Sequence, residues 1–535
     1  MTRSVIPMAS IALVLMPIAP VLGTTGVTLD PTPVDCVVPL VDDKCEKWAR
    51  RYTRGFATAG ALAPSGGRAF SVGSVSDNPN GTYRTEMQTV AYDVASGNRL
   101  WVAREAGPTD DWTMLGRNVV ISPDEKVVYA FATVFQGPGS AKDKLRNLVV
   151  AAYDAATGAR LWRKTYDGPA KAQDDAWAAA VSPDGDHLYV AAAATGSNLP
   201  VATTGGGVSL GRAVNTGGLE VDVDLALLTF DTATGDLLDE TIYGGPSYTI
   251  DGVTHGSWDV PLDLFVSRDG RRIVVAGISS GRETYRQNRR PHSFVGVWRA
   301  ADERDEGLTT EWVEEIPGSP LATALVESQG TIGFAGYARP DGGQYRPYSV
   351  AGLSLADGSL RWQTPVELGG SVNDLEYPRG LLVDEERGRL YVPGLSRNAA
   401  VNEGTTSVLA LSASDGALVW RKRLRDPRSE ATIIFNYDSD VRPMAALDPA
   451  SGHVQLTMLR EGRLAALSLD HATGAQRWAS VFDHPVGGTE LPERASNFPF
   501  EIEAAGGTAV IFGESYMTSP LQAARSDLLT IAYEV

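Results

Sequence analysis

The sequence has 535 residues, of which 43% are hydrophobic and 21% charged, a composition typical of a globular protein. Its formal net charge of −18 at pH 7 disfavours nucleic acid and anionic membranes as general partners. The 56 glycines indicate many turns rather than long helices.

Residues 1–23 have the pattern of a secretory signal peptide. Arg3 precedes an apolar run from Val5 to Pro20, and small residues follow near the expected cleavage site. A transmembrane anchor is the alternative, but the run is short for a membrane span and several prolines interrupt it. We therefore expect a secreted protein, extracellular or periplasmic, with no membrane span after signal removal.

The only two cysteines lie just beyond this signal, at Cys36 and Cys45. In an exported protein an isolated pair this close in sequence is most simply a local disulfide, and no histidine lies near enough in sequence to suggest a metal site. We predict that residues 24–44 form an N-terminal tail carrying the Cys36–Cys45 disulfide.

One unit recurs along the rest of the chain, and its complete form is Ala152–Trp162. It combines a run of β-forming residues, a turn rich in Asp, Thr and Gly, and a second alternating run, which together predict a β-hairpin. Whole or degenerate copies are Ala91–Trp101, Phe230–Leu238, Val295–Trp312, Gly352–Trp362, Ala410–Trp420 and Ser468–Trp478. A second hairpin precedes each copy, so each repeat contains four strands, A to D.

Four-stranded antiparallel repeats of this length predict a β-propeller. The A, B and C strands number eight, whereas only seven D strands follow them in the chain. The segment Trp48–Gly55 has the form of a D strand and can supply the missing one. We therefore predict that residues 45–535 form a single all-β, eight-bladed propeller, closed by an N-terminal strand that completes the last blade.

The pattern Ala-x-Asp-x-x-Thr-Gly-x-x-x-Trp resembles the tryptophan-docking repeat of the quinoprotein, or PQQ-like, propeller superfamily. Residues 174–185, with Tyr189 in the next strand, are similar to related exported bacterial propeller repeats. The resemblance covers most of residues 45–535 and implies that the repeated tryptophans pack against the neighbouring blade. It is specific for fold and unspecific for activity.

Quinoprotein dehydrogenases of that superfamily typically add two adjacent cysteines, a calcium ion and an aspartate base. This chain has no adjacent cysteine pair, which argues against PQQ as a cofactor, and no cofactor is expected.

Long loops of blades three to five are the predicted ligand-binding surface, because propeller loops vary while the strands do not. They gather arginines and tyrosines in an otherwise acidic protein, together with a histidine and a tryptophan, a set suited to a protein partner, a glycan or an anionic small molecule. The alternative is that the arginines pair with nearby carboxylates. The candidate ligand-binding residues are His255, Trp258, Arg282, Tyr285, Arg286, Arg289, Arg290, Arg339, Tyr345 and Arg346.

Acidic residues precede several A strands, which line the propeller channel. They could ring its mouth and hold calcium, or they could cap the turns that enter the strands. The candidate calcium ligands are Asp110, Asp111, Asp174, Asp175, Asp259 and Asp374.

The six histidines show no paired-ligand spacing, and His187, His453 and His471 fall on predicted strands or turns where surface histidines are common. Gly207–Gly211 matches the letters of a nucleophile elbow without its strand-to-helix context.

Two hypotheses for the function follow from the sequence. The first is a monomeric binding or scaffold protein that uses the loop face of blades three to five. The second is an enzyme, either a lyase, a hydrolase or a quinone- or calcium-dependent dehydrogenase, with its site at the channel mouth.

Overall fold

A computed structural model describes most of the chain from residue 46 onwards. The described residues are 46–53, 55–75, 85–107, 112–136, 146–170, 174–200, 221–245, 247–250, 253–280, 292–300, 307–338, 348–366, 374–398, 403–424, 445–460, 463–482, 494–519 and 522–535. The signal sequence, the tail, Cys36, Cys45 and Gly207–Gly211 lie outside them, so the signal peptide and the disulfide stay predictions.

The described chain is almost entirely β-structure, arranged in four-stranded antiparallel blades as predicted. An N-terminal strand, β1 (Glu46–Thr53), precedes them. The strands of blades one and two are β2 (Gly55–Leu62), β3 (Arg68–Val75), β4 (Glu86–Asp93), β5 (Arg99–Glu105), β6 (Trp112–Ile121), β7 (Val127–Gln136), β8 (Arg146–Asp154) and β9 (Arg160–Tyr166). Those of blade three are β10 (Asp174–Val181), β11 (His187–Pro200), β12 (Val221–Asp231) and β13 (Leu237–Tyr243).

A small hairpin of β14 (Tyr248–Ile250) and β15 (Val253–His255) separates blades three and four. Blade four contains β16 (Trp258–Val266), β17 (Arg272–Ser280), β18 (His292–Arg299) and the first part of β19 (Thr309–Val326). The long strand β19 passes without a break into blade five, where it pairs with β20 (Thr331–Ala338) after one 3-10 turn, Glu327–Gln329. Blade five ends with β21 (Tyr348–Ser354) and β22 (Leu360–Pro365).

The first strand of blade six is split in two, and both parts pair with the same partner, β25. Blade six contains β23 (Asp374–Pro378), β24 (Leu382–Asp384), β25 (Arg389–Asn398), β26 (Glu403–Ser412) and β27 (Leu418–Arg423). Blade seven contains β28 (Ala445–Leu447), β29 (Val454–Arg460), β30 (Arg463–Leu469) and β31 (Gln476–Phe482). Blade eight contains β32 (Arg494–Ala505), β33 (Thr508–Ser519), β34 (Gln522–Glu534) and β1.

The N-terminal strand occupies the fourth position of blade eight. β1 runs antiparallel to β34, with Trp48 opposite Ala532 and Thr53 opposite Asp527. The strand order β32-β33-β34-β1 is therefore the arrangement expected from the likeness of Trp48–Gly55 to a D strand.

Six tryptophans of strand D join their blade to the next. Each of these six indole N–H groups donates to a main-chain carbonyl in the C-to-D turn of the following blade. The pairs are Trp48 with Val94 (2.7 Å), Trp101 with Ala155 (3.0 Å), Trp162 with Thr232 (2.8 Å), Trp312 with Leu355 (3.1 Å), Trp362 with Ala413 (3.2 Å) and Trp420 with His471 (2.9 Å). This geometry confirms the packing role that the resemblance implied for them. Blade three has Leu238 at this position, and the indole N–H of Trp478 in blade seven has no hydrogen-bond partner among the described residues.

We call the C-to-D turn that accepts a tryptophan N–H a docking turn. Side chains close in sequence build it through local hydrogen bonds. In blade two the Asp154 carboxylate accepts the Thr157 N–H at 2.8 Å and its hydroxyl at 2.7 Å. Gly158 follows with φ of +72°, and a Cβ there would lie 2.6 Å from the Trp101 ring. The turn therefore needs glycine both for its backbone conformation and for its contact with the neighbouring blade.

The hydrophobic core lies between blades. One cluster, for example, joins Phe70 and Trp101 of blade one to Val128 and Tyr153 of blade two. Along the described part of the chain, no helix is long and apolar enough to cross a bilayer.

Candidate ligand-binding face

The structure leaves most of the predicted site residues undescribed. Arg282, Tyr285, Arg286, Arg289, Arg290, Arg339, Tyr345, Arg346, Asp110 and Asp111 lie outside the described residues. His255 pairs through its main chain with Tyr248, and Asp374 begins β23 opposite Asn398, but their side chains are not described. The structure describes Trp258, Asp174, Asp175 and Asp259 together with their side chains.

Trp258 lies where blades three and four are joined by main-chain contact. Strand β12 of blade three pairs with β16 of blade four through one parallel bridge, Val223 opposite Trp258. The Val223 N–H also donates to the Ser257 carbonyl at 3.3 Å. We call this region, with Asp222, Asp224 and Asp259, the blade three–four seam.

Asp259 is fully buried in the seam. Its Oδ2 accepts the Gly245 N–H at 2.6 Å and the Ser257 hydroxyl at 2.6 Å. Burial nevertheless raises the pKa of Asp259 to about 6, against the opposing effect of these hydrogen bonds. The carboxyl group can therefore gain or lose a proton just below neutral pH.

Asp224 is half-buried in the same seam. Burial raises the pKa of Asp224 to about 7, and the charges of Asp222 and Asp259 add to the effect. Glycines surround it, since a Cβ at Gly244 would lie 2.9 Å from Asp224 Oδ1, and one at Gly196 would lie closer still to Oδ2. The loop backbone thus approaches the carboxyl group more closely than a side chain would allow.

Two half-buried tryptophans accompany these carboxyl groups. Trp177 and Trp258 both pack against a small apolar cluster formed by Ala193, Val223 and Val260. Aromatic rings beside a few polar groups are typical of ligand and partner sites. The seam therefore combines an apolar platform with carboxyl groups that titrate near neutral pH.

The contacts of Asp174 fit the alternative in which such residues cap turns, and Asp175 forms an ion pair with an arginine. Asp174 is buried, and its Oδ2 accepts the Gly168 N–H at 2.8 Å within the turn that enters blade three. Asp175 accepts the Thr133 hydroxyl at 2.6 Å and pairs with Arg146 at 3.1 Å. The calcium ring stays a prediction, because the side chains of Asp110, Asp111 and Asp374 are not described.

The channel is a second place where carboxyl groups meet. A cavity of about 440 Å³ is lined by strands β2, β6, β10, β16 and β32. Glu501 and Glu503 of blade eight and Asp263 of blade four face it. Burial and the neighbouring charge of Glu501 raise the pKa of Glu503, while Glu501 accepts the Gly60 N–H at 2.7 Å.

Some chemically notable residues were missed by the sequence reasoning. Asp222 and Asp224 alternate with apolar residues in β12, and two aspartates in an otherwise apolar strand were an available signal. His453 and His471 were interpreted as surface histidines, yet the structure half-buries them and sets them side by side with Asp470. Their 18-residue separation gave no motif, because they meet across two strands rather than along one.

Comparison with known proteins agrees with the propeller architecture. Residues 346–485 match the family described as outer membrane protein assembly factor BamB, which covers β21 to β31. The sequence matches no curated protein.

Solved structures with a similar fold share little sequence with this chain. The Dos1 propeller is 10% identical, with a TM-score of 0.47, over 91% of this chain and 93% of that one. The WD40 domain of SCAP from fission yeast is 9% identical, with a TM-score of 0.41, over 91% and 94%. Pyrococcus horikoshii acylaminoacyl peptidase is 12% identical, with a TM-score of 0.38, over 88% of this chain and 58% of that one.

Proposed function

We propose that this β-propeller, whose residues 346–485 match the family described as outer membrane protein assembly factor BamB, is an exported binding protein, a rigid scaffold that holds a protein partner on the loop face of blades three to five. The observation that carries the proposal is the blade three–four seam, where Trp258 and two carboxyl groups lie at the base of the longest predicted loops.

The chemistry of the partner follows from the two halves of this face. Trp258 and Trp177 offer an apolar contact that is only half-buried in the free protein. The arginines predicted in the adjoining loops, among them Arg286, Arg289 and Arg290, would meet acidic residues of a partner. The match of residues 346–485 to an assembly factor supports a protein as the partner, rather than a small molecule.

Charge-matched variants test this proposal. Replacing Arg286, Arg289 and Arg290 together by Ala should leave the melting temperature nearly unchanged and abolish capture of a partner from an envelope extract. The control removes the same charge elsewhere, through Lys126, Lys164 and Arg268, each of which forms an ion pair outside the loop face. The partner would be identified by mass spectrometry and its affinity measured with both purified proteins. Equal affinity for the two triple variants would contradict the proposal.

An enzyme is the second candidate, and the raised pKa values of Asp224 and Asp259 favour it. Two neighbouring carboxyl groups that titrate near pH 7 and pH 6 are suited to general acid and base roles. Turnover of lyase or hydrolase substrates that is lost in Asp224→Asn, or that requires added calcium or quinone, would support it. Binding with no turnover across such panels would support the scaffold instead.

A further inference from the structure

The propeller repeat sets three positions close together on the face opposite the long loops. The first residue of strand B lies opposite the last residue of strand C, as His187 lies opposite Asp231 in blade three. The next residue of the chain supplies the carbonyl on which the neighbouring blade's tryptophan docks, as Thr232 does there. Because these three positions recur from blade to blade, their chemistry in each blade depends on which residues occupy them.

In blade seven all three positions carry metal-ligating side chains. Val454 pairs with Leu469, so the residues just outside this pair, His453 and Asp470, occupy the first two positions. His471 occupies the third. Ligand atoms of the three side chains lie within 4.8 Å of one another, and the two imidazole ring centres are 5.4 Å apart.

The two imidazoles also contain polar atoms that no residue in the described part of the chain satisfies. Nδ1 of His453 and Nδ1 of His471 are buried without a hydrogen-bond partner. A buried polar atom left unpaired costs about 1–3 kcal/mol, so two of them in adjacent rings call for an explanation. A cation shared between the rings would satisfy both.

We propose that His453, Asp470 and His471 bind one divalent transition-metal ion, with Zn²⁺ as the ion that this ligand set fits best. Two imidazoles and one carboxylate are a zinc ligand set that leaves a fourth position for water or a further ligand. A tetrahedral Zn²⁺ separates its ligand atoms by about 3.4 Å, so small side-chain rotations would close the site.

The surrounding hydrogen bonds orient the carboxylate for this role. Asp470 Oδ1 accepts the Thr473 N–H at 2.9 Å and the Thr473 hydroxyl at 2.8 Å, which fixes the carboxylate in the turn. An oriented carboxylate loses less freedom when a metal binds.

Charges of both signs face His453. The carboxylates of Asp470 and of the buried Asp448 would attract a cation, and the exposed guanidinium of Arg477 would oppose it.

A metal here would act on the joint between blades six and seven. The His471 carbonyl accepts the Trp420 indole N–H at 2.9 Å and the Arg389 guanidinium at 2.6 Å, and both donors belong to blade six. Holding the His471 side chain to strand B would therefore hold the turn on which blade six docks. This is a structural role on the face opposite the proposed partner site, and it is independent of partner binding.

The repeat itself supplies substitutions that should preserve the fold. Thr331 occupies the position of His453 in blade five, and Ala413 occupies the position of His471 in blade six. His453→Thr and His471→Ala therefore introduce residues that other blades already carry. His187→Ala is the matched control, because its blade has a histidine and an aspartate in the same positions but Thr232 as the third residue.

The experiment measures Zn²⁺ binding to the full-length mature protein, free of any histidine tag and first stripped with chelator. Titration calorimetry should give one Zn²⁺ per chain, and Co²⁺ should give the visible absorption bands of a four-coordinate site. His453→Thr and His471→Ala should each lower the Zn²⁺ affinity by about 10–100-fold and remove the Co²⁺ bands. His187→Ala should bind as the wild type does.

Two outcomes would contradict the proposed Zn²⁺ site. One is the absence of Zn²⁺ binding by the wild type, and the other is unchanged affinity in both blade-seven variants. Metal-free unfolding midpoints close to that of the wild type would show that both variants fold. Zn²⁺ should also raise the unfolding midpoint of the wild type and of His187→Ala, but not that of His471→Ala.

Discussion

The indole N–H of Trp48 donates to the carbonyl of Val94 across 2.7 Å, and the two residues belong to opposite ends of the repeat series. Trp48 lies in β1, the fourth strand of blade eight, whereas Val94 lies in the C-to-D turn of blade one. Trp48 also packs with Tyr92 of blade one and Phe512 of blade eight. The same docking contact that joins other blades thus joins the last blade to the first.

Deleting residues 24–54 should destabilise the whole molecule. The deletion removes the ladder between β1 and β34 and takes the buried Trp48 from between blades eight and one. Loss of a buried tryptophan alone costs about 3–5 kcal/mol, and exposed edges of β34 and of the blade core would add to the loss. Scanning calorimetry should show a melting temperature lowered by many degrees and a broader transition.

The matched control is deletion of residues 24–44, which removes the tail and Cys36 but keeps β1. It should lower the melting temperature much less, by the contribution of the predicted disulfide and tail. If the longer deletion is as heat-resistant as the full mature chain, β1 does not hold the propeller together.

Gly158→Ala should be more destabilising than Gly185→Ala. Both glycines have positive φ, +72° and +86°, so alanine is strained at either position by about 1 kcal/mol. A Cβ at Gly158 would meet the Trp101 ring at 2.6 Å, whereas a Cβ at Gly185 would meet nothing within 4 Å. Overpacking adds about 1–3 kcal/mol at Gly158 alone.

Urea unfolding of the two variants measures this difference directly. The excess loss in Gly158→Ala is the contribution of the interblade contact. Equal losses in the two variants would mean that the tryptophan does not rest on its turn.

The sequence was sufficient to predict the blades because each docking turn is encoded locally. Asp154, Thr157, Gly158 and Trp162 specify a hairpin without reference to the rest of the chain, and their recurrence sets the number of blades. The uninterrupted strand β19 and the parallel bridge between Val223 and Trp258 were not predictable, because they depend on how neighbouring blades meet rather than on either strand alone.

The candidate site was less predictable for the same reason. Trp258 and Asp259 were identified from the loop in which they lie, but the raised pKa values of Asp224 and Asp259 arise first from burial where two blades meet, and for Asp224 then from the charges of Asp222 and Asp259. His453 and His471 likewise have no shared motif, and only the pairing of β29 with β30 brings them together. Side chains that meet between strands of different repeats leave no fixed spacing in the sequence.

Glu105→Ala should cost about 2–4 kcal/mol of folding free energy. Glu105 is buried, and it accepts the Tyr153 hydroxyl at 3.1 Å, Arg160 at 2.9 Å and Arg163 at 3.3 Å. Its removal leaves the buried Tyr153 hydroxyl without this partner and ends two ion pairs between blades one and two. Chemical unfolding at pH 7 measures the loss.

An exposed ion pair provides the comparison for Glu105. Asp236 pairs with Lys164 at 2.7 Å, but the Asp236 side chain is 65% exposed and that of Lys164 is 38% exposed, against 4% for Glu105. Asp236→Ala should therefore change the unfolding midpoint very little. A loss in Asp236→Ala as large as that in Glu105→Ala would contradict the assignment of the effect to burial.

Asp224→Asn should remove a pH-dependent destabilisation. The pKa of Asp224 is raised from 3.8 to about 7 in the folded protein, so the folded state binds more protons than the unfolded state between these values. The stability that this carboxyl group contributes is present below about pH 4 and is lost as the pH rises to about 7. Relative to the wild type, Asp224→Asn should gain about 1–2 kcal/mol between pH 5 and pH 8, a figure reduced for the partial exposure of the group.

Urea unfolding of both proteins at pH 5 and pH 8 gives this difference, and Asp154→Asn serves as the control. Hydrogen bonds from Thr157 lower the pKa of Asp154, so that carboxylate stays ionised across the same range and its substitution should have the same effect at both pH values. A difference between Asp224→Asn and wild type that is equally flat would mean that Asp224 is ionised at pH 5, and so that burial beside Asp222 and Asp259 does not raise its pKa.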